Sequence, residues 1–296
     1  MRILLIGNTG QLGWELERSL IPIAELIAVD YPAIDLADTD GIRNQIRNIQ
    51  PDILINAAAY TNVDQAENEK DLAERINAVA PGIMAEESRT LGALFLHYST
   101  NYVFDGKKGK PYQESDLPKP INIYGKTKLA GEKAVQEVGG DYFIFRTSWV
   151  YSTRKDNFVT RVLDWSRKNK ELRIVSDQVG SPTWCRTLAE TTAQWLALGL
   201  SKGESWRKDR SGIYHLAGNG AVSRYEWAEK ILQLDPRRDE QVVETLQPAL
   251  SEEFPTPAKR PEFSALDCGL FQKEFGIFWS DWLTSLELAM TSIVNQ

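Results

Sequence analysis

The stretch Tyr124-Gly125-Lys126-Thr127-Lys128 sets a phenol and an ammonium four residues apart. On a helix both side chains share one face, one turn apart. A tyrosine ionises near pH ~10, too high for ready proton transfer at neutrality. A lysine cation beside it is expected to stabilise the phenolate and lower that pKa. The pair would then hand a proton to a carbonyl oxygen while hydride reaches its carbon. Tyr151 and Lys155 repeat the spacing, so the surroundings must choose between the two pairs. Thr100 adds a hydroxyl at the end of an apolar run, where open α/β sheets present residues to ligands.

The elements that must position these groups begin at the N-terminus. Residues Arg2 to Gly7 form an apolar run bounded by glycine, the pattern of a buried parallel strand. Gly7-Asn8-Thr9-Gly10-Gln11-Leu12-Gly13 follows, and then Leu12, Leu16 and Leu20 at helical spacing. Strand, glycine turn and helix is the setting of a dinucleotide fingerprint. The spacing here is G-x-x-G-x-x-G, and a tight turn without a ligand is the alternative. As a fingerprint, Gly7, Gly10 and Gly13 admit a pyrophosphate close to the backbone, and the helix start at Gln11 and Leu12 supplies N–H donors. A second run, Leu26 to Val29, ends in Asp30. An acid there accepts hydrogen bonds from ribose hydroxyls and repels a 2′-phosphate, which alone favours NADH over NADPH. A helix cap or loop acid is the other reading of Asp30. Asp35 and Leu36, in the next loop, are placed to contact adenine.

Thr39 or Asp40 is expected to cap a helix to Ile49, stopped by Pro51. Asp52 to Asn56 reads as strand three and opens into Asn56-Ala57-Ala58-Ala59-Tyr60-Thr61, small residues that let a flat cofactor approach. Val63 to Glu67 is a short helical piece. Asp71 to Thr90 is a longer helix whose Asn77 amide can pin a nearby loop. Gly92 to Tyr98 is strand four, with His97 as a core residue, and it runs into Ser99-Thr100-Asn101-Tyr102. A polar loop, Asp105 to Asn122, leads to the Tyr124 helix. Strand five is Tyr142 to Arg146, running into Thr147-Ser148-Trp149. This alternation predicts an α/β fold with a doubly wound parallel sheet. It also chooses between the pairs. Tyr151 and Lys155 follow a strand end and precede a loop, whereas Tyr124 and Lys128 open a helix.

Beyond residue 150 the expected elements are a helix from Asn157 to Lys168, a strand from Leu172 to Val175 and a loop from Asp177 to Thr183. Next come a helix from Leu188 to Leu200 and a strand, Ile213 to Leu216, that returns to the sheet. A helix from Tyr225 to Leu234 capped by Ser223, a strand from Val242 to Thr245 and a last helix from Trp279 to Ile293 complete the chain. No linker separates two halves. Residues 1–150 are therefore expected to form a dinucleotide-binding domain to which 184–218 returns. Residues 151–183 and 219–296 are expected to form a smaller, interleaved α/β substrate domain.

Bulk properties exclude several classes. The 296 residues are 42% hydrophobic and 25% charged, an ordinary globular balance with ample length for a core. The net charge of -7, without basic runs, argues against nucleic acid or an anionic membrane as partner. Cys185 and Cys268 stand in no metal-ligand spacing and read as free thiols of a reducing cytosol. Two histidines make a His-rich zinc site improbable, so no metal is expected. No G-x-S-x-G occurs. The start is too short for a signal-peptide core, and no apolar run reaches membrane-spanning length. A cytoplasmic protein is expected.

Taken together, Gly7-x-x-Gly10-x-x-Gly13, Asp30, Asn56-Ala-Ala-Ala59, Thr100 and Tyr124-x-x-x-Lys128 resemble the extended short-chain dehydrogenase/reductase family, which has a Rossmann fold. Further blocks narrow the resemblance to its nucleotide-sugar ketoreductases. They are Ser99-Thr-x-Tyr-Val-Phe104, Asn122-x-Tyr-Gly-x-x-Lys128, Phe145-Arg-Thr-Ser-Trp-Val-Tyr151, Asp177-Gln-x-Gly-x-Pro-Thr183 and Pro257-Ala-x-Arg-Pro261. The resemblance implies NADPH or NADH as cofactor, a dTDP-sugar as substrate and reduction of its C4 ketone. It implies Tyr124 as general acid, Lys128 tuning it and holding the nicotinamide ribose, and Thr100 on the reacting oxygen. It adds Ala58, Ala59, Thr61 and Tyr98 to the cofactor site, and Asn101, Tyr102, Trp149 and Arg260 to the substrate site. A monomer or homodimer is implied. An epimerase of another nucleotide sugar and a non-catalytic NADP-binding regulatory subunit are the alternatives. One position departs from the family pattern, which commonly has Asp after the Thr. Asn101 keeps an acceptor, gains a donor and loses the charge, so weaker substrate contact or a looser epimer preference is expected.

Overall fold

Short apolar runs build the sheet, and their order builds the cleft. The computed structural model describes residues 1–293. In chain order the strands are β1 (Arg2–Ile6), β2 (Glu25–Val29), β3 (Ile53–Asn56), β4 (Leu94–Thr100), β5 (Tyr142–Thr147) and β6 (Val150–Tyr151). They continue as β7 (Glu171–Val175), β8 (Val179–Gly180), β9 (Thr183–Trp184), β10 (Gly212–His215), β11 (Val222–Ser223) and β12 (Thr245–Ala249). Six of them form one parallel sheet in the order β10-β5-β4-β3-β1-β2. The chain direction across the sheet reverses between β1 and β3. In open parallel sheets that switch point leaves a crevice at the strands' C-terminal ends.

Alternate residues of each strand face opposite layers. Ile3 and Leu5 of β1 pack with Leu16, Leu20, Leu188 and Trp195 from the helices Gln11–Leu20 and Cys185–Lys202. Leu4 and Ile6 pack with Ile42, Ile46, Met84 and Val135 from three helices on the other face. Burial on both faces explains why β1 from Ile3 to Ile6 and β3 from Ile53 to Ile55 are continuously apolar, not alternating. Past residue 150, β10 returns beside β5, and three small pairs form: β6 with β9, β8 with β11, and β7 with β12. A further core gathers Tyr151, Val159, Val162, Trp227, Leu286 and Met290.

Several boundaries differ from the sequence expectation. Asp38, not Thr39 or Asp40, caps Thr39–Ile49, accepting the Gly41 N–H at 3.0 Å. The helix expected over 71–90 is interrupted by a π turn at Arg75–Val79, which carries Asn77. β12 lies later than expected. The Val242 and Val243 amides both bond the Ser166 carbonyl, and the strand that follows contains Pro248. Proline is tolerated there because β12 pairs on one side only, with β7. The last helix begins at Trp282, where Asp281 accepts the Leu283 and Thr284 amides, so buried Trp279 precedes it. The expected loop 177–183 contains β8 and the start of β9.

One buried ion pair fastens the Ile123–Val138 helix to the sheet. Arg146 of β5 donates Nε and Nη2 to the two oxygens of Glu132, at 2.9 and 2.7 Å. The Ser99 hydroxyl of β4 donates to the same carboxylate. Glu132 is 0% and Arg146 2% exposed. Removing one partner of such a pair strands the other charge in the core. Glu132→Ala is expected to destabilise the protein by roughly 3–5 kcal/mol in urea unfolding. Asp164→Ala, which breaks the exposed pair with Lys168, should cost a small fraction of that.

Candidate active site

A cleft of about 520 Å³ opens at the C-terminal ends of β1, β3, β4 and β5. It gathers residues from six separate stretches. Gly7, Gly10, Gln11 and Leu12 come from the glycine turn and Asp30 from the end of β2. Ala58, Ala59 and Thr61 follow β3, and Tyr98, Thr100 and Asn101 belong to β4 and its end. Tyr124, Lys128 and Trp149 complete the expected residues that line it, while Gly13, Asp35, Leu36, Tyr102 and Arg260 do not. The cleft also takes Thr9, Ala57, Ser99, Thr147, Val150, Lys155 and Asp156, which the sequence reading did not assign. Thr9 was visible inside the glycine turn. Lys155 was set aside with Tyr151, whose side chain is fully buried.

The glycine turn is shaped for close backbone approach. A Cβ at Gly13 would lie 1.9 Å from the Gly7 carbonyl oxygen. Gly13 therefore packs under the turn and does not line the cleft. Gly10 caps the Gln11–Leu20 helix without a side-chain hydrogen bond, which leaves first-turn amides for an anion. Asp30 braces the same turn. Its Oδ2 accepts the Thr9 amide at 3.1 Å and hydroxyl at 2.5 Å, and its Oδ1 accepts the Tyr31 amide. Small residues at 57–59 and an uncapped helix start fit a dinucleotide's pyrophosphate. Asp35 and Leu36 stand elsewhere: Leu36 is buried in the core, and the Asp35 carboxylate accepts the Ala37 amide. Neither lines the cleft.

The reactive helix is held at its start. Asn122 accepts the Gly125 amide at 2.8 Å and donates to the Lys259 carbonyl. Asn77, on the π turn, holds Tyr60 through both backbone groups and donates to the Thr127 hydroxyl. Its expected role as a loop pin is thus seen in the structure. Burial pushes the Tyr124 phenol up to about 12, while the facing Thr100 hydroxyl pulls it down. This corrects the expectation that Lys128 would lower it. The Lys128 Nζ turns instead to the Tyr98 carbonyl at 2.7 Å and to His97 Nε2 at 3.1 Å. Burial brings Lys128 down to about 8 against the pull of Glu132. Tyr124 is consequently a fully loaded acid at neutral pH. His97 is buried as expected, but it touches the site.

Thr100 and Asn101 form a unit. The Thr100 hydroxyl donates to Asn101 Oδ1 at 3.2 Å and accepts the Tyr102 amide. Asn101 Nδ2 donates to the Ser264 hydroxyl at 2.8 Å and carbonyl at 3.2 Å. The amide in place of a carboxylate thus finds a carbonyl that only a donor can satisfy. Tyr102 meets Tyr124 edge-on, with centroids 5.7 Å apart.

Trp149 forms a rigid wall. Its φ of +42° is unusual for a bulky residue. Its ring stacks on Trp227 at 5.6 Å, and the Arg224 guanidinium lies 3.6 Å from its centroid. A Cβ at Gly180 would fall 2.4 Å from the ring. Arg224 was missed in the sequence, where its only mark is its place after the Ser223 cap. Among the described residues it makes no ion pair. Burial lowers its pKa to about 10. Arg260, the arginine that the resemblance named, is already committed to both Asp64 oxygens at 3.0 and 2.7 Å.

Comparison with known proteins agrees with this geometry. The model of the RmlD substrate binding domain family matches residues 1–295. The dTDP-4-dehydrorhamnose reductase of Escherichia coli K12 is 38% identical over 99% of this chain and 98% of its own. A crystal structure of a dTDP-4-dehydrorhamnose reductase from Clostridium acetobutylicum superposes with a TM-score of 0.90, at 33% identity and full coverage of both chains. That of the Bacillus anthracis enzyme, in complex with NADP, gives 0.89 at 34% identity, covering 98% of this chain and 99% of that one. With a family match along its length, this chain belongs to the dTDP-4-dehydrorhamnose reductase family.

Proposed function

We propose that the protein reduces the C4 ketone of dTDP-4-dehydro-L-rhamnose to dTDP-L-rhamnose, using NADPH or NADH, for cell-surface polysaccharide synthesis. The observation that carries this reading is the meeting of Thr100 and Tyr124 in one cleft with the glycine turn. When bound, the nicotinamide supplies the hydride. The chain's own residues do the rest. The glycine turn and the Gln11–Leu20 helix start hold the pyrophosphate. Thr100 and Tyr124 direct two hydroxyls at the ketone oxygen, where negative charge develops. Tyr124 donates its proton to that oxygen, and its raised pKa keeps the proton in place until then. The Trp149 face bounds the sugar, and Arg224 stacks behind it.

Asp30 carries a negative charge toward the adenosine end, which favours NADH. The Bacillus anthracis relative was solved with NADP, which supports use of both cofactors. Residues 151–183 and 219–296 serve as the substrate domain in this account. Among the described residues no helix is long and apolar enough to cross a membrane. A cytosolic monomer or homodimer fits this.

Mixing the protein with dTDP-4-dehydro-L-rhamnose and either cofactor should give loss of nicotinamide absorbance. No oxidation with NADPH or NADH overturns the reading. Tyr124→Phe is expected to lower kcat by on the order of 10²–10⁴ while cofactor Kd stays near wild type. Asn101→Asp restores a charged acceptor beside Thr100 but loses the Nδ2 bond to the Ser264 carbonyl, and the KM for the sugar is expected to shift. Unchanged KM and kcat would remove Asn101 from substrate recognition.

A further inference from the structure

Lys128 sits at the end of a buried hydrogen-bond chain whose proton count can be worked out. The chain starts at a group of fixed role. The Ala58 backbone N–H donates to Asn56 Oδ1 at 3.1 Å. A backbone amide can only donate, so the Asn56 side chain is oriented with Nδ2 toward His97. Asn56 Nδ2 lies 3.1 Å from His97 Nδ1. That nitrogen must therefore accept. A neutral imidazole has one proton, which then sits on Nε2. His97 Nε2 lies 3.1 Å from Lys128 Nζ. An N–H pointed there needs a lone pair to receive it. An amine has one, and an ammonium has none. The amine keeps two hydrogens, and one serves the Tyr98 carbonyl at 2.7 Å.

The other charged groups around Lys128 leave this chain undisturbed. Glu132, one turn along the same helix, has both oxygens taken by Arg146 of β5 and by Ser99 of β4. Tyr98 of β4 gives its phenol to Thr192. Tyr124 faces Thr100. His97 itself is fully buried, and burial first, then Lys128, holds it neutral. Asn56 and His97 are fully buried and Lys128 is 2% exposed at the cleft wall, so the His97 N–H has the Lys128 nitrogen as its partner.

We propose that His97, oriented by Asn56, is a positioning residue that favours the amine form of Lys128 and so loosens the lysine's proton. Burial alone already weakens the hold of Lys128 on its proton, and a donor in front of it weakens that hold further, where an acceptor would strengthen it. Lys128 and not Tyr124 then sets the alkaline limb of activity, because the phenol stays protonated well above neutrality.

The test is a titration of the free enzyme by NMR, with lysine labelled at the ε carbon and the Lys128 signal assigned by its loss in Lys128→Arg. Lys128 should titrate near about 8, roughly two units below an ordinary lysine. His97→Gln places an amide oxygen where an ammonium can donate. Asn56→Ser removes the group that holds His97 Nδ1 as an acceptor. Both neutral variants should raise the Lys128 titration by about one unit or more. The alkaline limb of kcat/KM should move up with it. If His97→Gln does not fold, Asn56→Ser carries the test. Titration of wild-type Lys128 at the ordinary lysine value overturns the proposal. So does a titration unmoved in the variants. The NMR measurement needs no sugar, so its outcome is separate from that of the reductase reading on which the kcat/KM arm rests.

Discussion

A fully buried carboxylate–guanidinium pair determines where the reactive helix sits. Glu132 and Arg146 are both nearly without solvent, and their partners come from the helix, β4 and β5. Such a pair tolerates little displacement, since each lost hydrogen bond leaves a charge in the core. Lys128 is one turn before Glu132 on the same helix, and Tyr124 one turn before that. The pair therefore transmits the register of the sheet to the acid. Asn77 and Asn122 fix the same helix from other directions. The reactive groups stand on regular elements, which hold geometry better than loops do.

The cleft reconciles an acidic protein with an anionic ligand. The chain carries a net charge of -7, yet the polar groups lining the cleft are mostly neutral or positive. The Gln11–Leu20 helix start offers amides, and Lys155 brings a cation without an ion-pair partner among the described residues. Asp30 and Asp156 are the exceptions: Asp30 braces Thr9 and Tyr31, and Asp156 is paired with Arg161. The local field near a bound diphosphate is set by these few groups and not by the overall charge.

The features legible in the sequence share a physical cause. β1, β3 and β4 are buried on both faces, so their apolar runs were unmistakable, and the glycine turn followed from its place after β1. Tyr124 and Lys128 were separable from Tyr151 and Lys155 because a helix keeps the spacing and a loop does not. What was misjudged depends on burial or on distant contacts. Desolvation raises Tyr124, and no spacing rule contains that term. Leu36 is apolar because it fills the core. Arg224 reaches Trp149 only through tertiary packing. Val242 and Val243 looked like a strand, but their amides cap a neighbouring helix end. His97 was rightly read as a satisfied core residue, with both ring nitrogens partnered, though its partner Lys128 was not foreseen.

The central claim is direct hydride delivery to a carbon whose oxygen receives the Tyr124 proton. Cofactor deuterated at C4 of the nicotinamide tests it most directly, with the sugar product examined by NMR and mass spectrometry. The account predicts deuterium bonded to C4 of the product sugar, transferred from one face of the nicotinamide. It also predicts a solvent-derived hydrogen on O4. Product without deuterium at C4, or deuterium lost to water during turnover, would contradict it.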